Sequence, residues 1–581
     1  MINKLKMLGE NIYKNEGDKN PYNLKENVFG AFIICVDFTS HDNEIKYNGI
    51  NTVEEYSDKN KEDIMLADVP PGSTPPFPSW TITGKTSSAL KKVIKSLSDK
   101  CDLEIFSTVL EQNYDTIETD INNAKNKEKT NILTIRINDN FIGDSPLFKE
   151  QIKEYKSIPF QSYYSKHNTI SKGNNNKCYL CGKESAISFG FCSTFNFYSA
   201  NEFAYIAGGF KQDQTWKNYP VCPECAKYLR VGKEKILNSF NRYFYGNKYF
   251  LIPAPTINWK NFYNTLLAIE EEFKDLSLRE QESNQQMRSE LEDEIFDTLA
   301  HQSEQITFTF FFYAESNSEF KILQEAEDIL PSRFQKIISA KRNVEKYDEY
   351  KNLKGLYKKN KPSDLKFNFG IIKTFFPSNF NNDFLDITSK ILKGQMINNH
   401  FIIHNISETL ATGFRREALY HNVDKAKIFM EFLYNLNLIK KTPGRMEVEM
   451  NNNYSEYFQL HPEFYDADWK KAVFLTGVLA QHVMDIQFRE RGARPFRSRL
   501  SGLKLDSKAI KRLLPESIEK LEQYRSNYYR DLEESISAMM ESGEPELKKQ
   551  SVDEISFYFA VGMNMNKKFK SKNKIVGEDN E

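Results

Sequence analysis

The chain reads as an α+β protein: mixed α/β N-terminal and middle regions, an inserted subdomain pinned by cysteines, and a C-terminal all-α helical bundle. Three observations predict it. Short apolar or alternating runs at Phe32–Phe38, Ile132–Ile137, Tyr249–Ile252 and Ile306–Tyr313 have the composition of strands. Two Cys-x-x-Cys pairs, Cys178/Cys181 and Cys222/Cys225, stand between the second and third of these runs. Past about residue 450 strand signals fade and apolar residues recur every three or four positions, the helical period. At 40% hydrophobic and 13% aromatic residues, the 581-residue chain has material for several cores, so three to five domains are expected.

In order, residues 1–165 form a mixed α/β N-terminal domain. Its two strands are separated by a Pro/Gly-rich loop, Val69–Pro78, that excludes regular structure. That loop leads to a helix starting near Ser87 or Ser88, either a suitable N-cap. Residues 166–232 are the four-cysteine subdomain, entered through Asn174–Asn176. Residues 233–445 are a second mixed region, with a helix predicted from Phe320 to about Leu330, ending before Pro331. Between its strands, Glu270–Asp297 carries eleven acidic and three basic residues and reads as an exposed helical excursion. Residues 446–581 are the bundle, with helices at Asp468–Phe488 and Asp553–Phe569. Ile518, Leu521, Tyr524, Tyr528, Leu532, Ile536 and Met539 lie on one apolar stripe.

The cysteines carry the strongest chemical signal. Two residues between cysteines let both sulfurs turn onto one point, and two such knuckles supply the four thiolates of a tetrahedral zinc site. Such a site leaves no ligand position for water, so the expected zinc is structural. The competing reading, free thiols or one redox pair, does not account for two matching pairs. Cys192 reads as a buried thiol within reach as a spare ligand; Cys35 and Cys101 read as core positions.

A net charge of −1 excludes a uniformly basic coat but not local cationic surfaces. Between Arg489 and Arg512 there are nine Lys/Arg against two Asp/Glu. Within this run Arg489, Arg491, Arg494, Arg497 and Arg499 are broken by Gly492 and Pro495, which favours a loop whose arginine forks suit phosphate oxygens. A connector docking on acidic protein explains the same residues. Gly84-Lys85-Thr86 resembles the end of a phosphate-binding loop, but Ser79 stands where glycine is required and a Pro-rich run where a strand is required. A milder anion site remains, with Lys85, Thr86, Lys91, Lys92 and Lys95 at a helix start. Phe32–Asp37 has the form of a metal-carboxylate strand, a common pattern. No nucleophile elbow or His-Asp doublet occurs, so no enzymatic activity is expected. No apolar run reaches signal-peptide or membrane-span length, and Ala472–Phe488 contains His482 and Asp485. With reduced cysteines, this predicts a cytoplasmic protein without a membrane partner.

Several of these segments occur in a distinctive order. Cys178-Tyr-Leu-Cys181-Gly is followed by Tyr219-Pro-Val-Cys222-Pro-Glu-Cys225 and Tyr249-Phe-Leu-Ile-Pro253. Thr309-Phe-Phe-Phe-Tyr313 leads to Phe320-Lys-Ile-Leu and Ile329-Leu-Pro-Ser332, and Phe557-Tyr-Phe-Ala-Val-Gly-Met563 lies near the end. The chain thereby resembles the large subunit of the subtype I-B Cascade, the CRISPR surveillance complex, of the zinc-bearing Csh type. The resemblance implies a non-enzymatic subunit that joins crRNA-bearing backbone subunits and recognises a protospacer-adjacent motif in duplex DNA. It also implies aid in unwinding, a hold on the displaced strand and recruitment of a helicase–nuclease. By this analogy Lys85–Lys95 would contact duplex and Arg489–Arg499 the displaced strand. Some relatives make a small subunit from an internal start, for which Met446 and Met450 are placed here. The alternatives are a zinc-stabilised nucleic-acid-binding protein acting alone, and an NTPase.

Overall fold

In the computed structural model, the described residues are 1–17, 28–41, 44–53, 55–67, 74–100, 103–144, 163–166, 169–192, 194–195, 211–257, 260–280, 285–316, 320–358, 361–416, 420–440, 448, 453–527 and 529–570. Cys101, Tyr528, Met446 and Met450 fall outside them. The chain forms two units, residues 2–235 and residues 236–581 with Met1.

In the first unit, β1 (Phe32–His41) is central: β2 (Glu44–Val53) pairs antiparallel on one side and β4 (Asn131–Ile137) parallel on the other. β3 (Trp80–Ile82) and the short β5 (Asn140–Phe141) both pair antiparallel with β4. Burial on both faces explains why β1 reads as an unbroken apolar run. Ile34, Val36 and Phe38 meet apolar residues of three helices, α3 (Thr86–Lys100), α4 (Glu104–Gln112) and α5 (Tyr114–Ala124), in one cluster. Ile33 and Cys35, pointing the other way, join Tyr56, Leu66 and Ile64, the last residue of α2 (Lys61–Ile64). The helix expected to be capped by Ser87 or Ser88 begins at Thr86, which leaves both serines inside its first turn.

The cysteine-bearing part of this unit holds two hairpins, β6 (Ser165–Lys166) with β7 (Thr169–Ile170), and β8 (Lys172–Lys177) with β9 (Glu184–Phe189). It ends in a helix, α6 (Pro223–Ser239). The N-terminal helix α1 (Ile2–Glu16) packs on α6 through glycines. A Cβ on Gly9 would stand 1.8 Å from the Tyr228 carbonyl oxygen, and one on Gly232 2.3 Å from that of Leu5.

The second unit opens with an antiparallel meander, β10 (Asn241–Phe244), β11 (Asn247–Pro255), β12 (Ile306–Glu315) and β13 (Phe320–Ile329). The strand β13 replaces the helix expected at Phe320–Leu330. Phe320 stacks on Tyr313 at 4.9 Å, and the segment pairs antiparallel with β12 through two register irregularities. Tertiary pairing thus overrides a sequence whose apolar spacing suits either period. Pro331, expected to end a helix, starts one instead: α9 (Pro331–Glu345) has proline in its first turn, where its missing N–H costs nothing.

The chain between β11 and β12 forms α7 (Phe262–Glu280) and α8 (Gln285–Ala300). In its described part the acidic face is exposed at Glu271, Glu272, Glu290 and Asp297, while the other face buries Phe262, Leu266, Ile269, Phe273, Leu291, Ile295, Phe296 and Leu299. Charge hides the stripe in the sequence because even Glu292 is buried, 2.7 Å from Lys341 on α9. A small hairpin, β14 (Leu353–Lys358) with β15 (Lys361–Ser363), follows.

From Phe369 onward every regular element among the described residues is helical, well before the strand signals fade in the sequence. These are α10 (Phe369–Phe375), α11 (Asn381–Lys393), α12 (Asn399–Arg415), α13 (Tyr420–Asn435), α14 (Asn453–Leu460), α15 (Asp468–Arg491), α16 (Ser507–Gln523), α17 (Arg530–Leu547) and α18 (Val552–Lys570). Helix α15 is buried along nearly its whole length. It crosses α18 at touching backbones: a Cβ on Gly477 would lie 2.2 Å from the Phe559 oxygen, one on Gly562 1.9 Å from that of Phe474. The apolar stripe from Ile518 to Met539 is divided between α16 and α17, with Arg525 at φ 50° in the break.

Candidate metal centre and cationic surfaces

The four cysteines meet. Cys178 closes the end of β8, where its N–H donates to the Lys183 carbonyl (2.9 Å) and its own carbonyl accepts from Gly182 (2.9 Å). Gly182 sits at φ 69°, a turn conformation that favours glycine. Cys222 stands before Pro223, the first residue of α6, and its carbonyl accepts the first helical bond from Ala226 (3.0 Å). A bridge between Phe189 and Val221 holds the two knuckles side by side.

The four sulfurs lie within 4.8 Å of one another, with 3.9 Å between those of Cys181 and Cys222. Thiolates at about 2.3 Å from a tetrahedral ion would be about 3.8 Å apart, so the set fits one metal ion with no position left over. Backbone N–H groups already aim at the sulfurs, Cys222 to Cys178 and Cys225 to Cys222, each at 3.4 Å. Hydrogen bonds from Cys222 and Cys225 hold the Cys178 thiol far below its ordinary value, and the reciprocal contact raises Cys222 to about 11. Contacts with Cys178 and Cys222, with burial, push Cys225 up as well, so without an ion the cluster favours thiolate at Cys178 and thiol at these two. Cys192 is buried outside the set, its thiol pushed up by desolvation, and burial likewise raises Cys35 to about 12.

The lysines of α3 are spread out. Lys85, Lys91 and Lys95 are exposed; Lys92 is half-buried, 5.5 Å from the Trp80 ring centre, and Lys95 lies 4.0 Å from Asp99. Thr86 is buried and its hydroxyl donates to Asn122. A strand does precede this turn, contrary to expectation, but β3 is three residues long and antiparallel to its neighbour. Ser79 is locked in the core, its hydroxyl donating to the Ile64 carbonyl (2.5 Å) beside Thr134 (2.7 Å). Asp37 is engaged by both forks of Arg136 (2.8 and 2.6 Å), an ion pair rather than a free metal carboxylate.

The arginine run leaves the end of α15 through Gly492 (φ 64°) into a 3-10 segment, Pro495–Leu503. Arg489, Arg491 and Arg499 are exposed, Arg494 and Arg497 half-buried. Three of the five lie over aromatic rings: Arg491 on Tyr524 (5.1 Å), Arg494 on Phe488 (4.5 Å) and Arg497 on Phe414 (4.5 Å). Arg497 also donates to the Phe414 carbonyl at the end of α12, where Arg415 and Arg416 are exposed. The sequence reading missed these two, an adjacent pair 73 positions before the run begins, because only the tertiary contact joins them to it.

A second buried cluster was also missed. Glu349, Glu431 and His461 converge, with His461 Nδ1 2.6 Å from Glu431 and Nε2 3.3 Å from Glu349. The Lys427 ammonium lies between the carboxylates, donating to Glu349 and, at 2.7 Å, to Glu431, while Tyr350 donates to Glu431 (2.8 Å). Lys427 thus gives the two carboxylates a cation from the chain itself. Burial alone would raise Glu431, but Lys427 and His461 hold it down at about 2. Only the Lys427/Glu431 spacing of four was visible in advance.

No helix among the described residues is long and apolar enough to cross a membrane. Three family models match the chain in order: the N-terminal domain of CRISPR-associated protein TM1802 over residues 1–154, its central domain over 175–329 and its C-terminal domain over 367–575. No curated protein matches it.

Proposed function

Because the chain belongs to the CRISPR-associated TM1802 family, we propose that it is the non-enzymatic large subunit of a type I-B crRNA-guided surveillance complex. In this role it joins the crRNA-bearing backbone subunits in the cytoplasm and recognises a protospacer-adjacent motif in duplex DNA. It then aids R-loop formation and recruits a separate helicase–nuclease. The observation that carries the reading is the three-part family match across most of the chain. The physics is compatible: guide pairing reads the sequence, so the protein need only read a short duplex motif and hold backbones. A chain of net charge −1 with segregated cations suits that division of labour.

The four-cysteine centre is assigned to zinc, on the match between four thiolates in a closed set and a structural zinc site. Zinc would brace the β8–β9 hairpin against the start of α6. Lys85, Lys91 and Lys95 are assigned to duplex contact and the arginine-rich loop to the displaced strand. A small subunit starting at Met446 or Met450 would appear as a short second product in mass spectra of the purified complex.

Reconstitution tests the reading. With crRNA and backbone subunits present, DNA carrying the adjacent motif should be bound far more tightly than DNA lacking it, and the isolated chain should show little preference. Sequence-specific binding by the isolated chain would instead favour a stand-alone nucleic-acid-binding protein. Nucleotide hydrolysis abolished by Lys85→Ala would overturn the non-enzymatic assignment.

A further inference from the structure

We propose that the cationic surface continues from the arginine-rich loop onto Arg415 and Arg416 at the end of α12, and that it binds single-stranded nucleic acid, with Phe488 receiving a base. This rests on the displaced-strand reading of the loop but adds two residues from another helix and a base-stacking position.

The loop is built to stay in place. Gly492 ends α15 in the left-handed conformation, the Phe496 N–H donates to Gln487 Oε1 (2.8 Å), and Phe496, Leu500 and Leu503 are buried. On this frame the rings of Tyr524, Phe488 and Phe414 each support one guanidinium. A guanidinium lying on a ring keeps its in-plane donors at the edge and has given up much of its rotamer freedom before any ligand arrives. Phosphate binding then costs less ordering than it would with free side chains. The Nε of Arg494 is buried and has no hydrogen-bond partner among the described residues.

The contacts also fix the direction of the loop. Arg497 meets Phe414 and Lys504 meets Glu408 (3.1 Å), so the segment runs antiparallel to α12. Arg497 therefore lies at the C-terminal end of α12, beside Arg415 and Arg416, both of which are exposed. Three carboxylates on these elements are engaged by cations: Glu516 lies 3.3 Å from Arg512 and 4.0 Å from Arg499, Glu490 3.6 Å from Arg489, and Glu408 3.1 Å from Lys504.

Phe488 decides between ligand classes. It is 52% exposed although Arg494 covers part of it. Duplex DNA hides its base faces, whereas a single strand offers them for stacking on aromatic side chains. An acidic protein surface would satisfy the arginines but gains less from an open ring.

The test uses the full-length chain alone, with fluorescence anisotropy of labelled oligothymidine, an abasic strand of equal length, and polyglutamate as competitor. Replacing Arg415 and Arg416 together by Ala should weaken oligothymidine binding about tenfold and flatten its salt dependence by about one to two phosphate contacts. Phe488→Ala should weaken oligothymidine binding about tenfold and the abasic strand, which loses only the support of Arg494, clearly less, while Phe488→Tyr restores binding. These side chains are exposed, so the thermal midpoint should not move; should one substitution unfold the chain, the other and the Tyr variant still decide. Unchanged binding in all variants overturns the proposal. Displacement of the strand by polyglutamate as readily as by oligothymidine overturns it in favour of an acidic protein. Neither outcome touches motif-dependent binding by the assembled complex, which tests the family-level reading separately.

Discussion

The two buried clusters make an instructive pair. Cys178, Cys181, Cys222 and Cys225 gather four sulfurs, and Glu349, Glu431 and His461 gather carboxylates and an imidazole, each set within the same 4.8 Å. Both concentrate electron-rich atoms away from water, which is costly without a cation. The second set has one supplied by the chain, the Lys427 ammonium. Around the sulfurs, Lys6 on α1 is a cation that feels the thiols of Cys225 and Cys181. Burial lowers its pKa, but Glu10 and the more distant thiols of Cys225 and Cys181 raise it overall. That charge is directed mainly to Glu10, at 2.5 Å. The electrostatic demand is met from inside in one place; in the other, four thiolates would need a bound ion to meet it.

The largest expected effect separates the two. Structural metal sites contribute on the order of 10 kcal/mol to folding. A strong chelator, or Cys222→Ser, should therefore abolish hydrogen-exchange protection in β8, β9 and the first turns of α6. Protection around His461 should not change; loss at both places would break the distinction. Next in size, Lys427→Met leaves two carboxylates buried without their cation and should cost about 3–5 kcal/mol, read as a lower denaturation midpoint. An unchanged midpoint would show that the ammonium is not the counter-ion.

Acid sharpens the comparison further. Burial and the Lys427 charge hold His461 below its ordinary value, against the pull of Glu431. Glu431 itself is depressed to about 2. Both groups bind protons more readily in the unfolded chain, so their contribution is complete above about pH 6.5. It should fall as the pH drops below that, first through His461, then through Glu431 between about pH 4.5 and 2. Stability rising on acidification over this range would contradict the assignment. Smallest of all, Tyr350→Phe removes one donor from Glu431 and should cost about 1.5 kcal/mol, a shift of a few degrees in thermal midpoint.

How much of this was legible in advance depended on the range of the interactions. The knuckles were legible because two sulfurs three residues apart must share a turn, whatever surrounds them. The strands at Phe32 and Ile306 were legible because both faces are buried and the runs are apolar or, at Ile306, rich in aromatic and β-branched residues. Phe320–Ile329 was not, since its choice of strand is made by Tyr313 and the open edge of β12. The segment around Glu292 misled because a buried carboxylate paired with Lys341 looks like a solvated one when its partner, 49 positions away, is unseen. Arg415, Arg416 and the cluster around His461 depend wholly on contacts between distant segments. Only the i, i+4 pair Lys427/Glu431 gave a local hint, and such pairs are ordinary on helices.

Elemental analysis of the purified chain and its Cys222→Ser variant addresses the central claim most directly. One tightly held ion per chain, lost in the variant and untouched by Glu349→Gln, is the predicted result. No ion at all, or a second one that disappears with Glu349→Gln, would contradict it.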